Sequence, residues 1–372
     1  MIPTQPQRII IAVDMDYFYA QCEELRNPSY AGKPIVVGMY SGRTDISGAV
    51  ATSNYPARNH GVKSGIPLAR ARSLLNGLDS LFAKADFDYY EKVSSDIMNI
   101  IKEYSNVFLQ ASIDEAFIDV SRRTEGSFSN AERLGNEIKQ RIFRETKIIC
   151  SVGIGPNRLI AKMACDAAKP GGLKLVRPEE VQSFLSDKPV DALYGVGSKT
   201  AARLREIGVS KIGELANTPL QTLQTEFGPK LGLYFSLASK GIDDEPLVEH
   251  AREQIGRMVT LKENTRDPAA LVEPLTRMAE DISRELTANN LAYKTVTFVL
   301  VDTDLKQHTR SRTLKVAETD GISAVSVAKA LAEEFFGSNG DVVARRIGLT
   351  VSSLVNQGGQ KPLTAYLGAD RP

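Results

Sequence analysis

The chain has 372 residues, 42% hydrophobic and 24% charged, with a formal net charge of +1. That length supports roughly two to four domains, and the balanced charge carries no nucleic-acid signal, so any such binding has to come from local clusters. No apolar run reaches membrane-spanning length, MIPTQPQRIII lacks a signal-peptide layout, three histidines leave little scope for zinc or histidine chemistry, and three cysteines (Cys22, Cys150, Cys165) without metal-ligand spacing predict a reducing cytoplasm.

Residues 9–13 read as a buried strand, being short, continuous, apolar and β-branched. A helix over 17–25 ends near Asn27-Pro28. Residues 34–38 form a second strand, and 41–67, rich in Gly, Ser, Thr and basic side chains, suit loops with short helices. A helix is expected over 91–104, two strands within 106–120, a helix over 131–145 and a strand over 148–154. Strands alternating with helices predict an α/β or α+β core. From about Pro178 short helices are broken by Gly and Pro. Residues 241–254 are polar and patternless, the mark of a linker. Beyond Gln254, TVTFVLVDTDL and RRIGLTVSSLV read as strands with helices around 269–288 and 323–336, a smaller α/β domain. From Asn356 the chain is a tail.

Two acidic clusters carry the chemistry. Asp14 and Asp16 close the first apolar run, and Asp114-Glu115 interrupt SIDEAFIDV. Carboxylates in hydrophobic strands are costly to desolvate without a compensating charge, and hard oxygen ligands favour magnesium or calcium. If both strands share a sheet, three carboxylates converge as in a two-metal phosphoryl-transfer site. Two readings of each cluster stay open, a metal site or a helix cap and solvated turn; Asp16 is more readily structural. In residues 41–65, Thr52, Tyr55 and Arg58 could hold phosphate oxygens, with small Ala49 and Ala51 letting a base lie close. The same residues also suit a plain polar loop. Lys169 in AAKPGG is either a phosphate ligand or a helix-ending lysine.

Gly195-Val196-Gly197 resembles a helix-hairpin-helix turn, whose amides can approach a phosphate where a helix begins; Lys199, Arg203 and Arg205 follow it. In KQHTRSRTLK, Arg310 and Arg312 share strand parity and should project from one face, and Arg345-Arg346 start another strand. These suit a duplex backbone or a charge-protected edge. In the tail, Gln360, Leu363, Tyr366 and Leu367 form an apolar plug with a glutamine hook, a helix-in-groove pattern.

DMDYFYAQCEE, SGAVATSNYPARNHGVKSG, SIDEAFIDV, SVGIGPNRLIAKMACDAAKPGG, and the later IGR and RRIGL, in this order, resemble the Y-family DNA polymerases. The similarity is greatest to the archaeal DNA polymerase IV group and runs from about Arg8 to Val355. It implies an α+β right hand: a ferredoxin-like palm over 1–25 and 79–176, fingers over 26–78, and a helical thumb over 177–242. A linker over 243–253, an α/β little finger over 254–355 and a tail over 356–372 follow.

The resemblance implies low-fidelity, template-directed addition of deoxynucleotides to a primer, with bypass of damaged bases. Asp14, Asp114 and Glu115, with the Met15 carbonyl, would hold two Mg2+ ions. Tyr17, Phe18, Tyr19, Ala51, Thr52, Tyr55, Arg58 and Lys169 would contact the nucleotide, Tyr19 as the steric gate against a ribose 2′-OH. Gly195, Gly197, Lys199, Arg257, Arg310, Arg312, Arg345 and Arg346 would contact primer–template DNA. The tail resembles a peptide that binds the PCNA sliding clamp, with Leu367 in place of the usual final aromatic. A monomer without membrane attachment is expected. The linker departs from the family's basic pattern through Asp243, Asp244, Glu245, Glu249 and Glu253, which predicts weak, salt-sensitive DNA binding and low processivity without a clamp. A palm-type nucleotidyl cyclase and a clamp-bound scaffold with a decayed site are the rival readings.

Overall fold

The computed structural model describes residues 7–248 and 252–356. The chain divides into two compact units, one of Met1–Met39 with Ala49–Glu249, the other of Tyr40–Gly48 with His250–Pro372. The first contains strands β1 (Ile10–Met15), β2 (Ile35–Tyr40), β3 (Gly48–Ser53), β4 (Leu81–Lys84), β5 (Phe108–Gln110), β6 (Glu115–Asp119), β7 (Cys150–Gly155) and β8 (Leu173–Leu175), with the β2–β3 turn belonging to the second unit. Its helices are α1 (Phe18–Arg26), α2 (Tyr55–Asn59), α3 (Leu68–Leu74), α4 (Phe87–Lys102), α5 (Phe128–Thr146), α6 (Arg158–Ala168), α7 (Val181–Ser186), α8 (Ser198–Glu206), α9 (Ile212–Asn217) and α10 (Leu220–Ala238).

The main sheet has the order β5-β6-β1-β7-β8, with β1 antiparallel to both neighbours and β8 parallel to β7. All six residues of β1 are buried, because the sheet is covered on both faces. Strand alternation sorts them. Ile9, Ile11 and Val13 join the core shared with Ile97 and Ile101 of α4 and Ile138 and Ile142 of α5. Ile10 and Ala12 face the other way, against Ala161 and Cys165 of α6. Asp14 has the parity of the α6 face. On that face α6 lies directly on the backbone of Gly153, where an added Cβ would stand 2.0 Å from the Ala161 carbonyl oxygen and 2.2 Å from the Cys165 nitrogen. Only glycine permits so close an approach.

A small sheet, β3-β2-β4, stands beside it. The expected loop over 41–67 therefore contains a strand, β3, whose Gly, Ala, Thr and Ser carry little strand signal. The helix expected from residue 91 starts at Phe87, because the Asp86 carboxylate accepts the Tyr89 amide as an N-cap. Helices α7–α10 share a second core with Leu159, Ile160 and Met163 of α6, around Val190, Leu204, Ile212 and Phe235. The described part of the linker is not a free tether. The Leu159 amide donates to the Asp243 carboxylate at 2.9 Å, Arg158 pairs with Glu245 at 2.5 Å, and Leu247 is buried against Ile10, Leu109 and Phe117.

The second unit has the antiparallel order β11-β10-β12-β9, formed by β9 (Gln254–Thr265), β10 (Leu291–Asp302), β11 (Gln307–Glu318) and β12 (Ala344–Ser352). Helices α11 (Val272–Ala288) and α12 (Gly321–Ser338) cover one face, over a core that includes Ile282, Val296, Phe298, Leu300 and Phe335.

Candidate active site

Asp14 and Glu115 are direct cross-strand partners in the β1–β6 ladder, so their side chains leave the sheet on the same face. Asp114 is tied to the same point, since its carbonyl accepts the Met15 amide at 2.9 Å and its carboxylate accepts the Ser112 hydroxyl at 2.6 Å. The backbone thus brings the three predicted carboxylate residues to the end of two central strands.

Two lysines meet them. Lys162, on α6, lies 2.7 Å from Asp14, 2.9 Å from Glu115 and 3.3 Å from Asp166. Lys169 lies 2.8 Å from the other Asp14 oxygen and 3.2 Å from Asp166. Burial works against the Lys162 charge, but the carboxylates overcome it and hold its pKa above the ordinary lysine value. Burial also raises the Glu115 pKa, with Lys162 opposing. As the side chains stand, no three acidic, His or Cys groups among the described residues are gathered for an ion. The Lys162 ammonium takes the place between Asp14 and Glu115. Even so, the donor set fits a divalent cation. All the donors are hard oxygens, and Glu115 Oε1 is buried without a hydrogen-bond partner, an acceptor that favours a cation.

Beside the carboxylates opens a cleft of about 240 Å³. Its lining contains Asp14, Met15 and Asp114 and every predicted nucleotide-contact residue: Tyr17, Phe18, Tyr19, Ala51, Thr52, Tyr55, Arg58 and Lys169. Ser64 also lines it and had no sequence signal. The α2 segment is placed by Asn54, which caps the helix and bonds the backbone of Ile35 and Lys33. Arg58 is aimed by a 2.8 Å bond from its Nε to the Ser53 carbonyl, with its guanidinium 5.2 Å over the Tyr55 ring. The Tyr55 hydroxyl is buried without a partner, as a group awaiting a ligand oxygen would be. Tyr19 stacks on Tyr90 and meets the edge of Phe87.

Asp16 turns away from this group. It is 1% exposed and its oxygens accept the Ser151 hydroxyl at 2.9 Å and the Gly171 amide at 2.5 Å. The structural reading of Asp16 is the one its contacts support.

In the hairpin, Gly195 has φ +84° and Gly197 precedes α8 with open space where a Cβ would be. Lys199 is exposed. The expected basic helix is weaker than its sequence suggests, because Arg203 pairs with Glu206 and Glu226, and Arg205 with Asp191.

In the second unit Arg310 and Arg312 do share a face. Arg310 is opposite Phe298 and Arg312 opposite Val296, so that face is the helix-covered one. Arg312 pairs with Glu334 at 2.5 Å and Arg310 lies 5.2 Å over Phe335. Arg257, opposite Leu349, is on the same side and pairs with Glu285. Arg345 falls at a register shift between β10 and β12. Arg346, opposite Val301 and exposed, lies on the open face with hydroxyl pairs that sequence reading missed, Thr295 with Thr313 and Thr297 with Ser311. Gln360, Leu363, Tyr366 and Leu367 lie outside the described residues. Among the described residues no helix is long and apolar enough to cross a membrane.

Comparison with known proteins is consistent along the chain. Residues 13–166 match the impB/mucB/samB family, 252–363 its C-terminal domain, and 191–243 a DNA polymerase-iota thumb domain. The chain is 39% identical to DNA polymerase IV of Nitrosopumilus maritimus, over 96% of this chain and 99% of that protein. It is 38% identical to DNA polymerase IV 1 of Methanosarcina mazei, over 97% and 100%. A solved Y-family polymerase chimera, Dbh-Dpo4(243-245)-Dbh, superposes with TM-score 0.87 at 36% identity, covering 94% of this chain and 99% of that one. An insertion ternary complex of Dbh DNA polymerase gives 0.68 at 35% identity, with the same coverage.

Proposed function

Since the chain belongs to the Y family of DNA polymerases, we infer that it is a template-directed, low-fidelity DNA polymerase that copies past damaged bases. Its substrates are primer–template DNA and a deoxynucleoside triphosphate, and its chemistry depends on a divalent metal. The observation that carries the reading is the pairing of Asp14 with Glu115 across β1 and β6, with Asp114 beside them, at a cleft lined by Tyr19, Arg58 and Lys169.

The reaction is in-line attack of the primer 3′-OH on the α-phosphate, with pyrophosphate leaving. Two Mg2+ ions, held by Asp14, Asp114, Glu115 and the Met15 carbonyl, would lower the pKa of the attacking hydroxyl and offset charge on the triphosphate. Lys169 now spends its charge on Asp14; with a nucleotide bound it would transfer to the triphosphate, alongside Arg58, Thr52 and the Tyr55 hydroxyl. Tyr17 and Phe18 line the same cleft, Ala51 offers a small surface under the nascent base pair, and the Tyr19 ring blocks a 2′-OH. Lys162, largely buried, bridges Asp14 and Glu115 and offsets their mutual repulsion before metal binds.

DNA would be gripped at the Gly195–Gly197 turn with Lys199 and along the sheet of the second unit. The open face around Arg346 supports this better than Arg257, Arg310 and Arg312, which are spent on Glu285, Phe335 and Glu334. The palm, fingers, thumb, linker and little-finger limits given above, a monomeric state, a cytoplasmic location and capture by the PCNA clamp through Gln360, Leu363, Tyr366 and Leu367 complete the proposal. Primer extension tests it. Extension with dNTPs and Mg2+ that is lost in Asp114→Ala/Glu115→Ala is the expected result, whereas wild-type DNA binding without extension would favour the scaffold reading.

A further inference from the structure

Asp16 is a fully buried carboxylate beside the active site that the mechanism does not use. Its carboxylate bridges strand β7 and the short turn after α6. The Gly171 amide donates to Asp16 Oδ2 at 2.5 Å, and the Ser151 hydroxyl donates to Oδ1 at 2.9 Å. The backbone of Asp16 is fixed too. Its amide donates to the Ile149 carbonyl at 3.2 Å, and its own carbonyl accepts the Gln21 side-chain amide. Gln21 also bonds both backbone groups of Ile149.

The turn itself carries Lys169. That residue ends α6 in an extended conformation, so the direction of its side chain depends on how the next two residues are held. Gly171 has φ +60°, a conformation that favours glycine. Its carbonyl accepts the Lys139 ammonium at 2.5 Å from α5, opposite the bond to Asp16. The Gly172 amide returns to the Ala168 carbonyl at 3.0 Å, and a Cβ on Gly172 would stand 2.2 Å from that oxygen. The turn is therefore gripped on both sides, by Asp16, which directly follows the strand that bears Asp14, and by Lys139 from α5.

We propose that Asp16 is a positioning residue, which ties the turn after α6 to strand β1 and so sets the reach of the Lys169 ammonium toward the triphosphate. This rests on the reading of Lys169 as a triphosphate ligand. Asp16 contacts no reacting atom in this arrangement. It fixes the spacing between the carboxylate strand and the phosphate lysine, and small misplacements of such groups are costly.

Steady-state insertion of a single nucleotide separates the possibilities, using Asp16→Ala, Asp16→Asn, Lys169→Ala and the Asp16→Ala/Lys169→Ala double variant. The expected result is a rise of about tenfold in KM for the dNTP in Asp16→Ala, with a smaller change in kcat. Asp16→Asn, which keeps an acceptor for the Gly171 amide, should restore most of it. In the Lys169→Ala background, Asp16→Ala should add nothing. An equal rise in KM with and without Lys169, or a loss confined to kcat, would overturn the proposal. If Lys169→Ala leaves KM unchanged, the triphosphate reading fails and this inference with it. A raised KM in Lys169→Ala with a wild-type KM in Asp16→Ala rejects the inference alone. Should Asp16→Ala not fold, Lys139→Met releases the same peptide from the other side. It should raise KM about threefold, only when Lys169 is present, and an unchanged KM would count against the proposal.

Discussion

The Tyr19 ring stacks on Tyr90 at a centroid distance of 4.7 Å and an interplanar angle of 17°. Tyr90 is itself held, because its hydroxyl donates to the Glu23 carboxylate at 2.7 Å in a buried setting. The ring proposed as the gate is thus backed by a second ring fixed by its own hydrogen bond. An aromatic pair of this kind is worth about 0.5–1.5 kcal/mol beyond its area. Tyr90→Leu should therefore cost about three- to tenfold in discrimination of dNTP over rNTP, measured as the ratio of kcat/KM values, and Tyr19→Ala should cost more. Sugar selection unchanged in both would remove Tyr19 from the gate.

Lys162 holds two carboxylates that would otherwise repel in a buried site. Removing one member of such a cluster leaves uncompensated charge, which costs about 3–5 kcal/mol. Lys162→Met should therefore melt well below wild type in EDTA. Mg2+ should recover a larger part of the loss than it adds to wild type, because the ion would supply the missing positive charge. Equal shifts with Mg2+ in both proteins would show that Lys162 is not standing in for the metal.

Burial raises the Glu115 pKa above its unfolded value. A carboxylate raised in this way contributes stability below its unfolded pKa and loses that contribution as pH rises through the folded pKa. Metal binding requires the deprotonated form. The stabilisation by Mg2+ should therefore grow as pH rises through the raised Glu115 pKa, read as the difference in Tm with and without the ion. Glu115→Gln should flatten the profile, and a profile that falls with pH would contradict the assignment.

The proposed metal carboxylates stood out in the sequence because Asp14, Asp114 and Glu115 interrupt apolar strands, a costly pattern with few explanations. Lys162 was not, since a lysine within an amphipathic helix normally faces solvent. Its burial follows from Gly153, which lets α6 settle onto the sheet, and nothing local to Lys162 reveals that contact. The parity of Arg310 and Arg312 was likewise readable, but which face they occupy depends on where α12 packs. The described part of the linker looked patternless because one buried leucine, Leu247, makes no period, and Asp243 and Glu245 are held by residues distant in sequence. Asp16 sits two residues from Asp14 and looks alike in sequence; only the fold sends it to Gly171 instead.

The tail proposal predicts a separation of activities. Removing residues 360–367 should leave distributive primer extension unchanged and abolish stimulation by the PCNA clamp, a loss of at least about tenfold in product length or yield at low enzyme concentration. Leu367→Phe, which restores the usual aromatic, should tighten clamp binding measured by titration. Clamp stimulation that survives the deletion would place the contact elsewhere.

Arg346 and Arg312 give the sharpest test of the second unit. They lie on opposite faces of one sheet, since Arg346 pairs with Val301 and Arg312 with the core residue Val296. Arg312 already has a carboxylate partner in Glu334, while Arg346 is exposed on the same open face as the Thr297 and Ser311 hydroxyls. A phosphate contact contributes about one unit to the slope of log K against log salt, because it releases about one counterion. Arg346→Ala should therefore weaken primer–template binding and reduce that slope by about one, across unrelated sequences alike. Arg312→Ala should leave the slope unchanged. The reverse result, with the slope moved only by Arg312→Ala, would mean that the duplex lies along the helix side of the sheet edge and that Glu334 releases its arginine on binding.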